Sequence, residues 1–177
     1  QGRIDHRCIL RSAIALQTCA CNDFVDIESC GGDPAFAAVC GGMIPSQETF
    51  RQRLDQLGEL GQPVRDLVDA AVVQQLQGVA LGTLKVAGQH LIPLDVDVSV
   101  FEEPWTRHQE GVGCTYHLVS GYAPIFAYVG TQGFLLADEL RVGPQHCSKG
   151  ALEFVARCVA MLERLGVQPE HLLLRVA

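Results

Sequence analysis

The sequence predicts an α+β or α/β chain, with a helical amino-terminal region followed by a mixed sheet of antiparallel strands, one helix and a returning parallel strand. Three observations predict it. Apolar residues recur with a helical period through roughly the first half of the chain. At "VAGQHLIPLDVDVSV" the period changes from 3.6 to 2. Beyond that point strand-length apolar runs alternate with Gly-rich turns until one helix-length segment precedes a last apolar run, "HLLLRV".

The elements follow in order. From Arg7 to about Val39 an apolar stripe of Ile9, Ile14, Ala15 and Leu16 predicts helix, with Asn22 and Asp33 as N-caps and Pro34 in the first turn. In "IPSQETFRQRLDQLG" Ser46 is the expected cap, Thr49 and Phe50 open the helix and Gly58 closes it. Residues 63 to 82 predict a further helix with Val64, Leu67, Val68, Ala71 and Val72 on one face. The helical region is expected to span 1–88.

Strands are expected at about 91–100, 113–119, 124–130 and 133–141, with a loop at 101–112 and a turn at "GTQG". A helix capped by Ser148 is expected to run to about Leu165, and "HLLLRV" closes the series. Strands joined by short turns pair antiparallel, whereas a strand reached through a helix is usually parallel to a neighbour in its sheet. The first and last strands are therefore expected to be adjacent, with their carboxyl ends forming a natural site.

Hydrophobic residues are 48% and charged residues 19% of the 177, the balance of a chain that folds around a core. No apolar run approaches the roughly 18 to 20 residues that cross a bilayer, and no signal-peptide pattern opens the chain. A cytoplasmic protein without a membrane partner is expected. The eight cysteines contain no Cys-x-x-Cys pair, which predicts free, mostly buried thiols. A net charge of −7 argues against a domain whose main work is gripping a phosphate backbone. The chain begins with Gln1 and stops inside an apolar run, which reads as a fragment.

In "IPLDVDVSV" one parity is apolar and the other carries Asp95, Asp97 and Ser99, so a strand would hold two carboxylates on one face. They are either solvated edge charges or ligands for a hard divalent cation. Glu102 and Glu103 read as solvated loop charges. His146 beside Cys147 suggests a nucleophile pair, but adjacent residues in a strand face opposite ways. Arg141 and Lys149 are candidate phosphate contacts or plain surface charge, and Trp105 either stacks on a base or covers the core.

Several separated motifs occur in one order: "PSQET", "LDVDVS", Gln109-Glu110-Gly111, "GYAPIFAYVG" and "LLLRV". Together, from about residue 7 to the end, they resemble bacterial insertion-sequence transposases of the DDE type, in the subgroup with a Gln-Glu-Gly motif. The resemblance implies a partial ribonuclease H-like mixed sheet over 89–177, preceded by a DNA-associated helical region. It implies metal-dependent DNA cleavage and strand transfer with Mg2+ or Mn2+. The implied partners are transposon terminal inverted repeats and target DNA, with self-association on that DNA. Family members carry the first acid as Asp-x-(Ser/Thr), which Asp97-Val98-Ser99 fits, so Asp97 is the expected catalytic metal ligand and Asp95 the alternative. His108, Gln109 and Glu110 would bind DNA or shape the site.

The second acid of the family follows the last strand, where this chain has Ala177, and the third lies further on. One of three ligands is thus expected here, and the chain alone is expected to be inactive. Residues 91 to 177 carry six Lys and Arg against ten acids. On this reading metal ions and the rest of the catalytic domain supply positive charge, with Arg3, Arg7 and Arg11 a modest basic start. The alternatives are a decayed remnant that only binds DNA or a partner, and a nuclease on the same fold.

Overall fold

The computed structural model describes residues 4–21, 23–103 and 109–176. The chain is mixed α and β and divides into two compact units, Gln1–Asp66 and Leu67–Ala177. That division lies upstream of the 88/89 boundary read from the sequence, inside one helix.

The first unit is helical. Helices α1 (His6–Thr18), α2 (Asp26–Ser29), α3 (Pro34–Cys40) and α4 (Gln47–Glu59) surround Ile9, Leu16, Ile27, Cys40 and Phe50, all nearly or wholly buried. Local capping chemistry sets their starts. Asp33 accepts from the N–H groups of Ala35 and Phe36 at 2.8 and 3.3 Å, and Ser46 accepts from that of Thr49 at 3.3 Å. The Glu28 carboxylate accepts from the Gln47 N–H at 2.7 Å, placing a negative charge at the positive end of α4. The expected stop at Gly58 falls inside α4, and the chain turns at Gly61, whose φ of +57° suits a residue without Cβ. Asn22 lies outside the described residues.

Helix α5 (Gln62–Leu76) is shorter than the segment 63 to 82 expected for it, and its buried face differs. Leu67 and Val68 are exposed, while Asp69 and Val73 are buried with Val72 and Leu76 partly so. The apolar stripe misled because a charged residue holds the buried position. Asp69 receives Nε of Arg157, at 2.7 Å, and one terminal nitrogen of the same guanidinium.

The second unit is built on a sheet. Strands β1 (Leu84–Val86), β2 (Gln89–Val98), β6 (Ile125–Val129) and β7 (Phe134–Glu139) pair antiparallel in that order. Helix α6 (Ala151–Arg164) and a 3-10 turn at Pro169–His171 return the chain to β8 (Leu172–Val176). Strand β8 pairs parallel with β2, from Ile92↔Leu172 to Val96↔Val176, as its arrival through a helix predicts. Leu94, Val96 and Val98 point to the same side as Ile125, Ala127 and Val129. Phe154, Cys158, Met161 and Leu162, spaced to share one face of α6, close the core over them.

In the chain segment that connects β2 to β6, strands β3 (Phe101–Glu102), β4 (Gly113–Cys114) and β5 (Ser120–Tyr122) form a second small sheet. The strand expected at 113–119 is broken, because Leu118 adopts φ +62° and Thr115 donates back to the Val119 carbonyl from both its N–H and its hydroxyl. Ser148 does not cap α6. Gly150, at φ +75°, holds the N-cap position and Ser148 is used by the turn before it.

Candidate functional site around Asp97

The alternation of β2 separates two environments. Asp95 and Asp97 lie on the face away from α6, opposite Tyr128 and Phe126 of β6. The Phe126 ring stands 5.7 Å from that of Phe101 and 6.3 Å from that of Tyr128, nearly parallel to the latter. Both carboxylates therefore sit beside aromatic surface.

Their roles differ. Asp95 is register partner to Arg175 on β8, whose Nη2 donates to Oδ2 at 2.6 Å while Nε donates to Oδ1. This two-pronged pair occupies both carboxylate oxygens and raises the guanidinium above its ordinary pKa. Asp97 is exposed, and its Oδ1 accepts only from the N–H of Val98 at 2.7 Å; no cationic partner to it stands among the described residues. Among the described residues the β2–β8 ladder runs from Ile92↔Leu172 to Val96↔Val176, and Asp97 is the next residue along β2. Asp97 thus stands at the carboxyl end of β2, which closes at Val98.

A cavity of about 480 Å³ opens beside it, lined by Asp97, Tyr116, Gln145, His146, Cys147 and Cys114 among others. Two local devices shape it. The Tyr116 hydroxyl donates to the Val98 carbonyl at 2.8 Å, pinning the 115–119 turn to the end of β2. Arg141, only 4% exposed, donates to the carbonyls of His146 at 3.1 Å, Cys147 at 3.2 Å and Lys149. A buried guanidinium satisfied by carbonyls fixes the 146–149 turn from beneath. Gly143 lets the backbone approach closely, since a Cβ there would lie 2.2 Å from the Gly121 carbonyl oxygen.

Arg141 is therefore a buried clamp rather than the surface or phosphate-facing cation considered from sequence, because three carbonyls converge on it. His146 and Cys147 lie in a turn, not a strand, and the Cys147 Sγ is 3.8 Å from His146 Nδ1. The strand argument for opposite faces does not hold there. Lys149 is exposed and lends its carbonyl to the clamp. Of the two expected solvated loop charges, Glu102 is exposed but stands on β3, where a loop was expected, and Glu103 is half-buried with its N–H donating to the Ser120 carbonyl at 2.8 Å. Gln109 and Glu110 are exposed and do not line the cavity; the Glu110 carbonyl accepts from the Tyr122 hydroxyl at 2.9 Å. Trp105 and His108 lie outside the described residues. All eight thiols are free, but only Cys8, Cys40 and Cys158 are buried, fewer than expected. Sequence reasoning missed the cavity-lining role of Tyr116 and Gln145, which carry no local motif.

Among the described residues no three His, Cys, Asp or Glu side chains gather closely enough to hold a metal ion. With Asp95 committed to Arg175, this chain offers one free carboxylate here, which does not fit a Mg2+ or Mn2+ centre by itself. No helix among the described residues is long and apolar enough to cross a membrane. The chain matches no protein-family model, no curated protein and no solved structure.

Proposed function

We propose that the second unit is the opening part of a ribonuclease H-like catalytic domain of a DDE transposase, and that Asp97 is its first acidic residue. The observation that carries this reading is the placement of Asp97, an exposed carboxylate without a cationic partner among the described residues, at the carboxyl end of β2, the strand with which β8 pairs in parallel. Asp95, the alternative, already serves Arg175. The antiparallel run β2–β6–β7, the helix α6 and the parallel return of β8 beside β2 support the fold. The Gln109-Glu110-Gly111 and "GYAPIFAYVG" motifs support the subgroup.

On this reading the substrates are transposon terminal inverted repeats and target DNA, with self-association on that DNA. Asp97 would there hold Mg2+ or Mn2+ together with further acids, which the described residues do not gather around it. The lone free carboxylate also favours a second reading, an inactive remnant that only binds. Sequencing the encoding DNA beyond codon 177 separates the two: an open frame with an early Asp and a later Glu is expected, and an immediate stop would leave a remnant. The complete protein is expected to cut and join inverted-repeat DNA and spare an RNA–DNA hybrid of the same sequence. Hydrolysis of the hybrid without joining would make it a nuclease instead.

A further inference from the structure

Strand β8 brings the core of the second unit to an open edge. It pairs with β2 on one side, and among the described residues no strand pairs with its other side. Leu172, Leu174 and Val176 share a face with Ile92, Leu94 and Val96, the face that α6 covers. That cover runs out along the strand: Leu172 is half-buried, while Leu174 is 48% and Val176 63% exposed. Beside them Leu152, in the first turn of α6, is 78% exposed. Leu152, Val155, Leu174 and Val176 line an apolar groove of about 370 Å³ together with Val96 and Val98 of β2.

Chemistry narrows what can fill such a place. An open strand edge offers a row of N–H and C=O groups, which another extended segment satisfies in series. The groove beside it asks that segment for apolar side chains at alternate positions, on the face toward α6. Charge does not oppose a like strand, because Arg175, the single charged side chain of β8, lies on the other face and is held by Asp95 of its own chain. Leu172–Val176 also lacks the devices that keep edges from pairing, having no proline, no lysine and no break in register. A second β8 meets each of these requirements. Antiparallel pairing about a twofold axis at Leu174 sets Leu174 against its own copy, Leu172 against Val176 and Leu173 against Arg175. Every residue on the α6 face then meets an apolar partner, and no two arginines stand directly opposite.

We propose that β8 is a self-association edge, at which a second copy of this chain adds its own β8 antiparallel and fills the groove with apolar side chains. The two sheets become one across the axis, and Leu152 of each copy covers the seam. The contact needs no DNA and makes no use of Asp97, so it stands apart from the role proposed for that carboxylate.

The test uses the native 177-residue chain without DNA. Sedimentation equilibrium at roughly 100 µM is expected to show a dimer. Val176→Lys and Leu152→Lys alter side chains that are mostly exposed in the single chain, so each should keep the parent circular dichroism while weakening the dimer by roughly tenfold or more. Register is read by cross-linking, with the exposed thiols removed as Cys19→Ser, Cys114→Ser and Cys147→Ser. Leu174→Cys in that background is expected to form an intermolecular disulfide under mild oxidation, since the two copies of the position face each other at roughly 5 Å. Leu173→Cys should not, because its counterpart lies diagonally, at roughly 8 Å. A monomer at that concentration, a dimer indifferent to both lysine substitutions, or equal cross-linking from Leu173→Cys and Leu174→Cys would overturn the proposal.

Discussion

The two faces of β2 share one backbone and differ in everything else. On one face Leu94, Val96 and Val98 are packed under α6 and nearly inaccessible; on the other Asp95 and Asp97 stand among aromatic rings, one engaged and one free. The period of two lets a single strand hold the fold with one set of side chains and present chemistry with the other. The difference teaches that loss of function and loss of stability should separate by parity along this strand.

The sharpest test of the packed face is Phe154→Ala in α6. Phe154 is 2% exposed, and its ring lies 5.9 Å below the Arg157 guanidinium carbon. Urea unfolding is expected to show a loss of about 4 kcal/mol. Next comes Asp69→Ala, which removes the partner of Arg157 where both side chains are less than one-fifth exposed. A loss of about 3 kcal/mol is expected, the low end for stranding one member of a buried pair, and Asp69→Ala combined with Arg157→Leu should recover part of it. Val96→Thr keeps the shape but places a hydroxyl against the core, and should cost about 2 kcal/mol. A cost near zero there would mean the packed face is not closed.

On the open face Asp97→Asn is expected to leave stability within about 0.5 kcal/mol of the parent, because the fold asks nothing of that side chain beyond a bond to its neighbour's N–H. A substantial loss on that substitution would break the comparison and make Asp97 a structural residue.

How much of this was legible depended on whether the cause was local. The alternation of "IPLDVDVSV" placed β2 and both carboxylates, and Asp33 and Ser46 announced helix starts through contacts within three residues. The turn at 130–133 and the parallel return of β8 followed from Gly placement and connection length. What escaped was set at long range. Leu67 and Val68 lost the buried side of α5 to Asp69 because Arg157, distant in sequence, needed a carboxylate. Strand 113–119 broke because the Thr115–Val119 turn, with Leu118 left-handed, outcompeted extension. Arg141 read as surface charge because three carbonyls that converge only after folding make its burial tolerable. Asp97 was preferred to Asp95 through the Asp-x-(Ser/Thr) resemblance alone, and what register added was Arg175 beside Asp95, a long-range pairing no local pattern announces.

The central proposal is that Asp97 serves chemistry while its neighbour of the same parity, paired with Arg175, serves the sheet. The most direct measurement compares end cleavage and strand transfer by the complete protein carrying Asp97→Asn with the same protein carrying Asp95→Asn. Abolished chemistry with retained DNA binding for Asp97→Asn, against measurable activity for Asp95→Asn, is the predicted result. Strand transfer retained by Asp97→Asn, or lost only with Asp95→Asn, would contradict it.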